Sequence, residues 1–316
     1  MAKLSIPEQE LMFSGHLACP GCGAALAMRY LLKGLGPQTL MVMPACCWAV
    51  IGGAMPSTAV NIGLLDCAFE ATGAAVSGMR AGLDALKVEG VQVVGFAGDG
   101  GTADIGLQAL SGMLERRTDA IYVMYDNEAY MNTGIQRSGA TPKGAWTTTT
   151  PTGAGMRGKE EAKKDVFAIV RAHDPAYAAT ANVAFPEDFV RKAKRAAGLE
   201  GPRFLHVLAP CPPGWKFDAQ MSVEVGRLAT ETNVFPLMEA VGGELRLTRK
   251  PSVRTGVEAY LKAQGRFGHL APEEVEAIQQ AVDRRWAALL AEEAKAGPRP
   301  REGGAVAAPA AGAPLR

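Results

Sequence analysis

The chain has 316 residues, 48% of them hydrophobic and 21% charged, enough to bury one large core or two smaller ones. Its 33 basic and 32 acidic side chains leave a net charge of +1 with no clustered basic run, which excludes nucleic acid as a partner. The N-terminus lacks the apolar core and cleavage site of a signal peptide, and no stretch approaches the roughly 18 unbroken apolar residues of a membrane span. A cytoplasmic protein with no membrane partner is expected.

The first feature along the chain is "HLACPGCGAAL", His16 to Leu26, which sets Cys19 and Cys22 three positions apart at the entry to a helix. Such a pair chelates a metal, shuttles a disulfide or holds part of an iron–sulfur cluster. In a reducing compartment the six cysteines read as ligands or buried small side chains rather than disulfides. Cys67, inside the apolar "LLDCAFEA", reads as a buried small hydrophobe.

The near-continuous apolar runs "VQVVGFAG" (Val91 to Gly98) and "AIYVMYD" (Ala120 to Asp126) predict strands covered on both faces. Between them, Ile105, Ala109, Leu110, Met113 and Leu114 recur at helical spacing, with Thr102 as N-cap and Arg116 and Arg117 in the last turn. "PEDFVRKAKRAAG" predicts a second helix from Pro186 to a stop at Gly198, followed by the strand "RFLHVLAP". This alternation predicts an α/β, doubly wound, mostly parallel sheet, with ligands beyond the carboxyl ends of its strands. A long helix from Pro272, with Val275, Ile278, Val282 and Leu289 on one face, packs on the core or on a partner. Residues 1–296 are read as one domain, and 297–316, rich in Ala, Pro and Gly without periodicity, as a disordered tail.

The first strand ends in "AGDGGTADIG", and 28 residues after Asp99 the next ends at Asn127 in "YDNEAYMNTG". Glycines at 98, 100 and 101 let a backbone approach a diphosphate, while Asp99, the Asn127 amide oxygen and the Ala129 carbonyl suit an octahedral Mg²⁺. A Gly-Asp-Gly turn also arises for purely conformational reasons. No G-x-x-x-x-G-K-[ST] or G-x-G-x-x-G competes as a phosphate cradle. The Gly-Asp-Gly and the Asn after it resemble the thiamine diphosphate signature.

The run from "GDGGTADIGLQALSGMLERR" through "YDNEAYMNTGIQRSGATPKGAWTTTTPTG", together with "CPGCG" and "APCPPGW", resembles the thiamine-binding β subunit of pyruvate:ferredoxin oxidoreductase and its 2-oxoacid relatives, over residues 17–215. The resemblance implies a thiamine diphosphate-binding fold and a [4Fe–4S] cluster held by Cys19, Cys22, Cys47 and Cys211. Cys47 rather than Cys46 follows from the spacing and the succeeding glycines at 52 and 53, although "PACC" departs from the family pattern there. Bottom-up, four thiolates from distant positions serve zinc equally well. Ala24 stands where many members carry an acidic residue, so no cofactor contact is carried over to it.

By resemblance, Asn132 faces the substrate, assisted by Thr133; the alternative is an Asn capping its own turn. "TTTT", Thr147 to Thr150, is either a loop over the site or a surface connection, and His206 a core residue. Fewer than 100 residues precede the Gly-Asp-Gly, too few for a pyrimidine-binding domain, so the activating Glu is expected on an α subunit; Glu70 reads as structural. The family also implies γ and ferredoxin-like δ subunits, ferredoxin, coenzyme A and a 2-oxoacid. Pyruvate is favoured over branched-chain 2-oxoacids or oxalate. The rival readings are a non-redox thiamine decarboxylase or carboligase, and a regulatory subunit with a degenerate site.

Overall fold

A computed structural model of the chain describes residues 4–54, 57–253 and 255–296, so the expected tail at 297–316 lies outside the described residues. The chain enters through helix α1 (Gly23–Leu35) and strand β1 (Thr39–Pro44), then a short α2 (Cys47–Ile51), β2 (Gly63–Cys67) and α3 (Thr72–Ala85). Strand β3 (Gln92–Gly98), α4 (Leu107–Glu115) and β4 (Ala120–Asp126) follow. After a long loop come α5 (Val166–Arg171), β5 (Tyr177–Asn182), α6 (Pro186–Ala197) and β6 (Pro202–Leu208). The remainder is α7 (Pro212–Trp215), α8 (Ser222–Glu231), the hairpin β7 (Met238–Val241) and β8 (Glu244–Leu247), α9 (Val257–Lys262) and α10 (Pro272–Lys295).

Among the described residues these eight strands form one sheet in the order β8-β7-β5-β6-β4-β3-β1-β2. The six strands from β5 to β2 in that order run parallel, and β7 runs antiparallel to both its neighbours, β5 and β8. Helices cover both faces, as a doubly wound sheet requires. Met28 and Leu31 of α1 and Phe189 of α6 pack with Phe96 and Val123 on one face, while Val76 of α3, Met113 of α4 and Val170 of α5 pack with Tyr122 and Phe204 on the other. All seven positions of β4 are buried, which explains its unbroken apolar run.

The helix after β3 departs from the expectation. Asp99 and Gly100 are already helical, Gly101–Ile105 form a π turn, and α4 starts only at Leu107. Thr102 is therefore not an N-cap: it is buried, and its hydroxyl donates back to the Gly98 carbonyl at 2.8 Å. Ile105 is turned out of the apolar stripe and is 50% exposed. The π turn inserts one residue into the helical period, which rotates the side chains before it relative to those after it. Of the two fates open to α10, the structure shows packing on the core: Val275, Ile278 and Val282 meet the cluster around Trp215 and Tyr260, and Leu289 meets the α3/α4 face. Among the described residues no helix is long and apolar enough to cross a membrane.

Candidate active site

The winding of the sheet reverses between β1 and β3, since the chain leaves β1 toward β2 and leaves β3 toward β4. Loops diverge there and open a crevice at the carboxyl edge. Four adjacent strands deliver the candidate residues to that edge: β1 ends before Cys46 and Cys47, β3 before Asp99, β4 before Asn127, and β6 before Cys211.

The "CPGCG" segment reaches the same edge from outside the sheet. Cys22 is the N-cap residue of α1. The Gly23 N–H donates to the Pro210 carbonyl at 3.0 Å, and the Ser222 hydroxyl donates to the Gly21 carbonyl at 2.6 Å, so the first cysteine pair is moored to the strand end that carries Cys211. Gly21 has φ +72°, the left-handed region that suits glycine.

The thiols sense one another. Burial pushes the Cys47 thiol up to about 12, with Cys46, Cys211, Cys22 and Asp99 adding to the effect. Burial does the same to Cys211, also to about 12, with Cys22 and Cys19 adding. Cys46 is raised chiefly by burial as well, with a bond from its side chain to the Tyr125 phenol opposing, and the same phenol accepts from the Cys47 N–H at 3.1 Å. Cys19 is exposed, at the rim of an open hollow of about 610 Å³ that Pro212, Pro213 and Phe217 also line. Among the described residues no three His, Cys, Asp or Glu side chains are gathered to hold a single metal ion. Cys67 lies apart, half-buried, with its sulfur 3.9 Å from the Thr72 hydroxyl.

At the Gly-Asp-Gly turn, a Cβ on residue 100 would lie 2.2 Å from a ring carbon of Tyr130. The missing side chain there makes room for the protein's own aromatic ring, whose hydroxyl donates to Asp104 Oδ2 at 2.7 Å. Gly98 and Gly101 similarly face Tyr125 and Phe69. A helix that begins at a strand's end aims its first N–H groups at the carboxyl edge, where an anion is favoured.

Asp99 is buried, and the Ser138 hydroxyl donates to its Oδ2 at 2.5 Å. Burial raises its carboxyl well above the usual range, with Asp126 adding and Ser138 and Lys163 opposing. One terminal atom of the Asn127 amide lies 2.8 Å from Asp99 Oδ1 and 2.9 Å from the Ala129 carbonyl. With nitrogen in that position it donates to both. That orientation satisfies both neighbours; with the amide turned about, its oxygen joins the other two in an all-oxygen set that a cation would hold.

Asp126, next in the chain, accepts from Lys163 Nζ at 2.6 Å and pairs with His206 Nε2 at 2.7 Å. Burial alone would raise its carboxyl, but Lys163 and His206 outweigh burial and hold it at about 2. His206 is thus a paired core residue, packed edge-on against Phe235. Asn132 and Thr133 lie exposed in the turn after Tyr130, Thr133 donating to Gln136 Oε1 at 2.5 Å. That turn borders the cysteines, since Met131 fills the space that a Cβ on Gly214 would take, beside Cys211. The threonine run is a self-bonded turn: the hydroxyls of Thr147 and Thr150 lie 2.7 Å apart, and Thr148 donates to the Gly134 carbonyl. Ala24 is buried, its carbonyl accepting from Trp48 Nε1 at 2.9 Å.

Three residues that sequence reasoning missed, Glu128, Lys163 and Arg266, surround this loop. Their pairing joins positions 138 apart in the chain and leaves no local signal.

Residues 57–207 match the family model described as "Thiamine pyrophosphate enzyme, C-terminal TPP binding domain", so fold and site together point to the class of thiamine diphosphate enzymes. The chain is 52% identical over 294 residues to ketoisovalerate oxidoreductase subunit VorB of Pyrococcus horikoshii, covering 91% of this chain and 94% of that one. It is 46% identical over 292 residues to pyruvate synthase subunit PorB of Methanocaldococcus jannaschii, covering 90% and 98%. The chain belongs to the family of β subunits of 2-oxoacid:ferredoxin oxidoreductases. A solved 2-oxoglutarate:ferredoxin oxidoreductase from Magnetococcus marinus shares the fold, with a TM-score of 0.55 at 19% identity over 87% of this chain and 97% of that one.

Proposed function

We propose that this subunit binds thiamine diphosphate through Mg²⁺ and carries a [4Fe–4S] cluster, within an enzyme that oxidatively decarboxylates a 2-oxoacid and passes the acyl group to coenzyme A. The observation that carries the reading is the delivery of Cys47, Asp99, Asn127 and Cys211 to one crevice by four adjacent strands, with Cys22 moored beside them. Asp99, the Ala129 carbonyl and the Asn127 amide meet within 2.9 Å, and turning the amide so that its oxygen faces the other two gives an all-oxygen donor set that fits Mg²⁺. Gly98, Gly100 and Gly101 stand at the diphosphate end through their backbone, their side-chain space being taken by Tyr125, Tyr130 and Phe69. Cys19, Cys22, Cys47 and Cys211 hold the cluster, a reading supported by the mutual influence of their thiols: Cys22 and Cys211 raise Cys47, and Cys22 and Cys19 raise Cys211. Thiamine diphosphate supplies the carbanion chemistry that releases CO₂, and the cluster supplies one-electron transfer.

Asn132 makes no hydrogen bond among the described residues, so its amide is free to meet the substrate carboxylate or oxyanion, with Thr133 beside it. The activating Glu comes from an α subunit with the pyrimidine-binding domain, and γ, ferredoxin-like δ and ferredoxin complete the electron route. Ile105 in the π turn, Val50 beside Cys47 and Leu65 on edge strand β2 stay exposed, which supports a covering subunit at this edge. Residues 1–296 act as one domain in a cytoplasmic complex.

Pyruvate is one substrate reading. The 50–52% identity to three Pyrococcus ketoisovalerate oxidoreductase subunits, against 46–48% to the methanogen pyruvate synthase subunits of Methanocaldococcus and Methanothermobacter, favours a branched-chain 2-oxoacid as the second. Anaerobic purification of the complex, with assays for iron, acid-labile sulfide and thiamine diphosphate, tests the core of the proposal. A brown protein bleached by dithionite is expected; zinc without sulfide overturns the cluster and leaves a non-redox thiamine enzyme. The ratio of kcat/KM for pyruvate and 2-oxoisovalerate then decides the substrate.

A further inference from the structure

Glu128 stands between two of the residues assigned to the cation, Asn127 and Ala129. It is a long acidic residue at φ +67°, in the left-handed region that favours Gly and Asn, and it is only 2% exposed. A backbone so placed persists where its surroundings over-determine it. Every polar group of Glu128 is gripped. Its carboxylate accepts from Lys163 Nζ at 2.6 Å and from Arg266 Nη2 at 2.5 Å, its N–H donates to Asp126 Oδ1 at 3.0 Å, and its carbonyl accepts from the Thr141 hydroxyl at 2.6 Å.

Arg266 reaches this loop from the far end of the chain. Its guanidinium lies 4.0 Å from the centre of the Trp215 ring, and Trp215 Nε1 donates to the Asn127 carbonyl at 2.8 Å. The peptide before Glu128 is therefore fixed by a residue that follows the sixth strand, and the peptide after it by Thr141. The charges are also sorted. Lys163 and Arg266 neutralise Glu128, Lys163 and His206 meet Asp126, and Asp99 is left as the carboxylate with no salt bridge among the described residues. Of the three acidic side chains around the loop, Asp99 is thus the one whose charge is left for a cation to meet.

We propose that Glu128, clamped between Lys163 and Arg266, is the positioning residue of the divalent-cation site, holding Asn127 and Ala129 against Asp99 through a strained turn while its own charge is cancelled. The inference rests on the assignment of Asp99, Asn127 and Ala129 as cation donors, and it gives the C-terminal residues around Arg266 a part in the site.

The test uses the assembled complex with thiamine diphosphate and Mn²⁺ as a paramagnetic probe, its binding titrated by electron paramagnetic resonance. Glu128→Gln and Lys163→Met are expected to weaken Mn²⁺ by about 10–100-fold, the usual effect of removing a group that orients a metal ligand. Lys163 is a quarter exposed, so its replacement disturbs the fold less than a change at Arg266. Lys192→Met breaks the ion pair with Asp188 on α6, away from this loop, and serves as the control for general destabilisation. Wild-type affinity in both Glu128→Gln and Lys163→Met overturns the proposal, as does an equal loss in Lys192→Met. Equal Mn²⁺ binding by wild type and Asp99→Asn overturns the donor assignment itself, and the proposal with it.

Discussion

Gly23 stands against the peptide joining Ala209 to Pro210 so closely that a Cβ on residue 23 would lie 2.6 Å from both the Ala209 carbonyl carbon and the Pro210 nitrogen. These are backbone atoms at the end of the sixth strand and cannot swing aside as a side chain does. The contact seats Cys22 beside the segment that carries Cys211. Gly23→Ala is therefore expected to push the N-terminal cysteine pair off the strand end, at an overpacking cost of about 1–3 kcal/mol. Thermal denaturation and iron content check this together. A variant with the wild-type midpoint and full iron would show that the contact is slack and the convergence incidental.

The adjacent cysteines after the first strand give a second test. Cys47 senses Cys22, Cys211 and Asp99, while Cys46 bonds the Tyr125 phenol. Cys47→Ser should lose cluster iron, and Cys46→Ser should keep it with at most a modest loss of stability, about 1 kcal/mol for one buried hydrogen bond. The reverse pattern of iron retention would reassign the third ligand.

What the sequence discloses follows from how local each signal is. The apolar runs of the third and fourth strands, the Pro186 and Pro272 helix starts and the Gly198 stop are written within a few residues of themselves, and the structure places all of them close to where they read. The same holds for strand ends, so Cys47, Asp99, Asn127 and Cys211 are found where a doubly wound sheet collects its ligands. The π turn at Gly101–Ile105 was illegible because Thr102 has the identity of a cap while its hydroxyl is spent on the Gly98 carbonyl. The grip of Arg266 on Glu128 was illegible for a different reason. An ion pair between distant positions has no period, and Arg266 lies in a stretch with no motif, so only the folded chain shows that it meets the loop after the fourth strand.

Lys159 offers a pH-dependent test of the loop behind the site, being neither an assigned ligand nor bonded to one. Its ammonium is buried among the carbonyls of Gly139, Thr141 and Ala162, and burial lowers its pKa to about 8. Between pH 8 and the ordinary lysine value of 10.5, the unfolded chain holds more protons at this residue than the folded one. Stability contributed by Lys159 should therefore rise with pH across that window. Unfolding by denaturant at pH 7 and pH 10 checks this as the difference between wild type and Lys159→Met, which cancels the titration of the cysteines and tyrosines common to both. The difference should shift in favour of wild type at the higher pH. A difference that does not change with pH would mean that the three carbonyls fully compensate the buried charge.

Asp99 separates stability from function. Its carboxylate is buried without a salt bridge among the described residues, and burial raises its pKa. An uncompensated buried charge costs stability, a cost that a cation bound there as proposed would offset. Asp99→Asn keeps the shape and can still accept the Ser138 hydroxyl. In the absence of Mg²⁺ and thiamine diphosphate the variant should melt at or above the wild-type midpoint. Adding both at about 100 times their dissociation constants should stabilise the wild type by about 2.7 kcal/mol. The variant should gain nothing. A midpoint well below wild type without ligand, joined to an undiminished rise when ligand is added, would show that Asp99 serves the fold rather than the metal.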